Sequence, residues 1–142
     1  MKRFSFNLEK VLSLRKYREQ EAEIELGRAI GVLSGIENQI RFNADERHRA
    51  GNLFSGNAGM FRSYVLYISR LDLQKEILLE EAARAEQKVE EARAVFIEAS
   101  RERKVLDKLK EKRAGEYRKS VLAEETKAMD DQVTSRSKLQ NM

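Results

Sequence analysis

The chain has no cysteine, no proline, no tryptophan and a single histidine, His48, in its 142 residues. Without thiols there is no disulfide and no thiolate-held zinc, and one imidazole leaves carboxylates as the only plentiful metal ligands. No window is apolar enough for a membrane span, and the basic opening, Lys2 and Arg3, is not followed by the apolar run of a secretory signal. A soluble, cytoplasmic protein is expected. Glycine is also scarce, and six of the chain's turn-forming residues, Gly51, Asn52, Ser55, Gly56, Asn57 and Gly59, are gathered in one place.

What is present points to helix. Charged residues make up 37% and hydrophobic ones 41%, with Ala, Glu, Lys, Leu and Arg dominant and the strongest helix breaker absent. Apolar residues recur in steps of three and four: Leu8, Leu12, Ala22, Leu26, Ala29, Leu33, Ile36 and Ile40, with Arg15 and Glu19 on the same line. A mean step of 3.5 is the seam of a left-handed coiled coil, which requires a partner helix. A second line keeps one frame from Tyr64 through Ile68, Leu71, Lys75, Leu78, Ala82, Ala85, Val89, Ala92, Phe96, Ala99, Arg103, Leu106, Lys110 and Arg113 to Tyr117.

The expected fold is therefore all-α: a long antiparallel two-helix coiled-coil hairpin with an overhanging second helix. Its single domain over residues 1–142 would have helix one at about 7–50, a turn at about 51–60, helix two at about 61–130 and a frayed tail at 131–142. Asn7 is placed as N-cap of helix one, with Phe6 stapling onto Val11. Leu53 and Phe54 are expected to pack onto the helix ends. Glu37 with Arg41, Asp45 with Arg49 and Glu80 with Arg84 are spaced as supporting pairs on exposed faces. A turn centred near Ser55 would set residue i opposite roughly 110 minus i, leaving everything past about Leu106 uncovered.

Chemistry at a site needs convergent groups in a concave, water-excluding pocket, and a two-helix hairpin offers none. No phosphate-cradling loop, no nucleophile with a base and no histidine pair is present, so no catalytic, metal or cofactor residue is assigned. His48 and the carboxylates of Glu76, Glu80 and Glu81 read as solvated helix positions. Gly27, Gly31 and Gly35 share the side of helix one opposite the seam, either as a strip for close approach by another backbone or as tolerated surface glycine.

Charge is the most informative feature. The net +4 hides two basic blocks, residues 1–18 and 101–119, with six cations against one acid and nine against four. Antiparallel pairing brings both to the same end, where they would attract an acidic partner or simply solubilise the helix surface. Interleaved Glu102, Asp107, Glu111 and Glu116, and the lack of any aromatic platform beyond Tyr117, argue against nucleic acid.

Phe4, Phe6, Leu8, Glu9, Val11, Leu12 and Arg15 at the start, with Arg101, Glu102, Arg103, Lys104, Leu106, Leu109, Lys110, Arg113 and Tyr117 later, form a pattern that resembles the flagellar export protein FliJ family. That resemblance implies a non-enzymatic stalk and adaptor. Its paired terminal end would enter the ring of the hexameric flagellar export ATPase and promote assembly and ATP hydrolysis. Carried over residue by residue, this contact would use Phe4, Phe6, Leu8, Arg15, Arg101, Arg103, Leu106, Lys110, Arg113 and Tyr117.

The part nearer the turn would reach the export gate membrane protein. Tyr64, Tyr67, Ile68 and Leu71 resemble that region, although Tyr64, Ile68 and Leu71 are also seam positions suited to packing. Export chaperones are the third implied partner. The free protein is expected to be a monomer without cofactors, peripherally associated with the inner membrane at the export apparatus and not inserted in it. The sequence departs from the family in lacking tryptophan and in its glycine strip. The alternative is a general coiled-coil scaffold with no ATPase partner.

Overall fold

The computed structural model describes residues 3–54, 56 and 58–141, with the side chain of Ala58 set aside. It is an all-α helical hairpin of two long helices, α1 from Glu9 to Leu53 and α2 from Ala58 to Gln140. Helix α1 starts later than Asn7: the amide of Leu12 donates to the Leu8 carbonyl at 2.8 Å, which makes Leu8 the residue that opens the helix. The Asn7 side chain is directed elsewhere, accepting a hydrogen bond from Arg113 across the hairpin. Phe6 likewise packs with Leu12 and Leu106, while Val11 stays exposed.

The link between the helices is shorter than the clustered turn residues suggest. Gly51 and Asn52 are absorbed into α1 and Gly59 into α2, so only residues 54–57 lie between them. Gly56 has φ +78°, a left-handed conformation that a side chain would disfavour. Phe54 turns back and stacks on Tyr64, ring centroids 4.8 Å apart, and touches Phe61 at 5.9 Å. Leu53, expected to pack beside it, is 72% exposed. Ser55 and Asn57 of the expected turn, Met1 and Lys2 of the basic opening and Met142 of the expected frayed tail lie outside the described residues.

Two compact units divide the chain: Met1–Tyr17 with Ser100–Met142, and Arg18–Ala99. In the first, the start of α1 lies antiparallel to α2, with Arg15 reaching Glu102 and Glu9 meeting Lys110. In the second, Asn43 reaches Leu71 and Gln74 while Glu46, further along α1, meets Tyr67, earlier on α2, again antiparallel. The partners in the first unit sit about seven to nine residues further along α2 than a turn centred near Ser55 would place them, roughly one heptad, whereas Asn43 meets Leu71 about four and Gln74 about seven further along. A whole-heptad offset leaves the seam frame intact. Every seam position named on α1 is buried or half-buried, and on α2 only Lys75 is exposed.

The offset also corrects how far α2 is covered. Leu106 is 6% exposed, and Lys110, Arg113 and Tyr117 are all engaged by the start of the chain, so they do not project alone. Uncovered helix begins at Arg118, from which every described residue but Val121 is exposed. That stretch stays helical to Gln140, because no glycine or proline after Gly115 interrupts it. Supporting pairs formed in part: Arg41 lies 4.0 Å from Glu37, whereas Arg49 chooses Glu46 at 3.0 Å over Asp45, one residue nearer in the chain. Among the described residues Glu80 and Arg84 form no ion pair.

Candidate functional site

All ten residues that the resemblance assigns to an ATPase contact fall in the unit formed by both chain ends. Its centre is Leu12, with no exposed surface, packed with Phe6 and Leu106 and ringed by Phe4, Leu8 and Leu109. Seam spacing puts Leu12 and Leu106 there, while Phe4 and Phe6 arrive from the non-helical lead before α1 and close the end of the cluster. Phe4 also stacks against Tyr117, ring centroids 5.6 Å apart and tilted by 40°. Aromatic contacts of this kind add modestly to the area they bury.

Cations on the seam are held by specific partners. Arg113 places its guanidinium 5.7 Å above the Phe6 ring while donating to Asn7. Lys110 Nζ meets Glu9 Oε2 at 2.8 Å, and Arg103 Nη1 meets Asp107 Oδ2 at 2.7 Å. Arg15 Nη1 donates to the Glu102 carbonyl at 3.0 Å, tying α1 to the α2 backbone. Phe6, Leu106, Arg15, Lys110 and Arg113 therefore build this unit from within. The cations turned outward include Arg3, Lys10, Lys16, Arg101, Lys104, Lys108 and Lys112, all exposed.

Tyr64, Tyr67, Ile68 and Leu71 fall in the other unit. Leu71 is buried at 6%, and Tyr64 and Ile68 are half-buried, as their seam positions require. Tyr67 alone presents its ring outward, over a shallow groove shared with Ala50, Leu53, Phe54 and Met60. Its hydroxyl donates to Glu46 Oε2 at 3.2 Å, and Glu46 also pairs with Arg49. Desolvation against its neighbours, then the hydrogen bond and the negative charge of Glu46, raise the Tyr67 phenol above its ordinary value.

A raised phenol holds its proton more tightly in the folded state. Its contribution to stability is thus complete below the ordinary tyrosine range and is lost as pH climbs through the folded value. Ultraviolet titration should show one late-ionising tyrosine that disappears in Tyr67→Phe; a profile unchanged by that substitution would refute the assignment.

One seam residue escaped the sequence reading. Asn43 follows Ile40 by three, continuing the line, yet a polar side chain there breaks the apolar pattern that marked it. It is 3% exposed. Its Nδ2 donates to the Leu71 carbonyl at 3.0 Å and to Gln74 Oε1 at 3.4 Å, and its Oδ1 has no partner among the described residues. Gly27, Gly31 and Gly35 lie on the open side of α1, with nothing within 4 Å of where a Cβ would stand. Among the described residues no three His, Asp or Glu side chains are grouped to hold a metal ion, and no helix is long and apolar enough to cross a membrane.

Fold and surface together define a helical-hairpin protein whose conspicuous chemistry is a cationic, aromatic-capped terminal unit. The chain belongs to the flagellar FliJ protein family, whose model matches residues 4–141. It is therefore a coiled-coil protein of flagellar export, from a family of non-catalytic export components. No curated protein and no solved structure matches it.

Proposed function

We propose that this protein is a non-enzymatic central stalk and adaptor of the flagellar type III export apparatus. The unit formed by both chain ends enters the ring of the hexameric export ATPase, favouring its assembly and ATP hydrolysis. Tyr67, the outward member of the turn-side group, reaches the export gate, and emptied export chaperones are handled along the same adaptor. These partners would hold the protein at the inner membrane without any segment entering it. One asymmetric hairpin in a closed ring must contact its subunits unequally, which biases their nucleotide states.

The observation that carries this reading is the pairing of the two basic blocks in one unit, which takes residues 101–119 and all of the first block but Arg18. Opposite charge on the ring would steer the encounter and set its salt dependence. Arg103 and Arg113 have internal partners, so reversing them would disturb the unit as well as any contact. Lys104, Lys108 and Lys112 are exposed and lie on successive turns of one face of α2, which makes them the cleaner test.

Titrated into the cognate ATPase at moderate salt, the protein should stimulate hydrolysis and ring assembly together, saturating near one hairpin per ring. The variant Lys104→Glu, Lys108→Glu, Lys112→Glu should keep its helicity and lose about tenfold in apparent affinity. Stimulation undiminished by the triple reversal would remove this face from the contact. No stimulation by the native protein would remove the stalk reading itself.

A further inference from the structure

Helix α2 carries an apolar strip that neither α1 nor the proposed contacts use. Leu66, Leu73 and Ile77 are 61%, 60% and 49% exposed. At 100° per residue they fall within about 40° of arc, on the side turned away from the buried seam residues Leu71 and Leu78. Their spacing of seven and then four is that of a helix contact line. Three large aliphatic side chains aligned in water on one rigid helix form a patch, unlike the singly scattered apolar residues of an ordinary surface.

The charges flanking the strip identify what fits it. Arg62 lies one turn before Leu66 and Glu80 one turn after Ile77, and both project about 40° to the same side of the strip. Both are exposed, and neither has an ion-pair partner among the described residues. Opposite charges at equal distances from the centre of an apolar strip, on one edge of it, are what a two-fold axis perpendicular to the helix requires. Turning a second α2 antiparallel about a point near Asp72 sets Leu66 against Ile77 of the second copy, and Leu73 near its own counterpart. Arg62 then meets Glu80 of the second copy, twice over.

We infer that this face of α2 is a self-association surface, occupied by a second copy of the chain in an antiparallel, two-fold arrangement. The matched positions of Arg62 and Glu80 favour a second copy over an unrelated partner, while exposed Arg70, on the other edge near the axis, faces its own counterpart and opposes tight association. Three aliphatic residues a side fall below the size of a standard stable interface, so the dimer is weak and forms at high protein concentration.

Sedimentation velocity on the full chain, from low to high micromolar, tests this independently of any ATPase. The mean mass should climb toward a dimer as concentration rises. Arg62→Glu alone and Glu80→Arg alone should each weaken association about tenfold by setting like charges together, and the double reversal should restore it. Leu73→Lys should hold the chain monomeric with its circular dichroism unchanged. A monomer at every concentration overturns the inference, including the case in which another protein covers the strip. So does a dimer indifferent to the single reversals, or one that the double reversal fails to rescue.

Discussion

Replacing Leu12 with alanine should cost about 2–5 kcal/mol, the range for truncating a fully buried leucine whose surroundings cannot close over the gap. Leu12 has no exposed surface and sits between Phe6 and Leu106, with Phe4, Leu8 and Leu109 packed around them. Few other positions could supply that energy. Elsewhere Leu71, Leu78 and Val89 share the seam of α2 with Ala82, Ala85, Ala92 and Ala99, which bury little area each. The loss should therefore concentrate in the terminal unit, where Lys110, Arg113 and Arg15 keep their partners only while that cluster holds its geometry.

Hydrogen exchange should show protection falling over residues 100–117 while residues 71–90 keep theirs. Val11→Ala, one position away and 39% exposed, should change stability by less than about 1 kcal/mol. Equal losses for the two substitutions, or protection lost evenly along both helices, would mean that the cluster does not anchor this end.

Helix, hairpin and seam were legible in the sequence because each rests on repetition: a 3.5-residue step sustained across many turns cannot be satisfied by one helix alone. What repetition does not encode is how far the turn extends. Gly51 and Gly59 carry turn propensity, yet both lie in helices, since continuing the helix through them costs only about 1 kcal/mol each. Nor does it encode the register of the far end, where the pairing lies about one heptad further along α2 than a turn centred near Ser55 gives and covers Leu106, Lys110 and Arg113.

The same limit applies to the candidate site. Its ten residues could be gathered at one end from charge and pattern, but which of them face inward depends on partners such as Asn7 and Glu9, whose types announce no such role. Arg113 illustrates the point: on a seam line it looked like an uncovered cation, whereas the Phe6 ring and the Asn7 side-chain Oδ1 take it up.

Asn43→Leu should raise stability by about 1–2 kcal/mol, although it deletes two hydrogen bonds. The Asn43 Oδ1 is buried without a donor among the described residues, a desolvation cost that leucine removes. The Leu71 carbonyl keeps its place in the α2 hydrogen-bond ladder, and Gln74 is exposed enough to turn to water. Leucine at this seam position would instead pack beside Leu71.

The asparagine bond does one thing an apolar pair cannot: it is satisfied at a single register, because Nδ2 must find the Leu71 carbonyl. Distance measurements between spin labels on α1 and α2 near residue 43 should accordingly broaden or split in Asn43→Leu while its denaturation midpoint rises. Asn43→Ala separates the two effects, since it loses the bonds without gaining seam contact and should be less stable than the native protein by about 1 kcal/mol. If leucine destabilises as alanine does, the amide is a net stabiliser and the register argument loses its energetic basis. If leucine stabilises and the distances stay single, the register is set by the apolar seam alone.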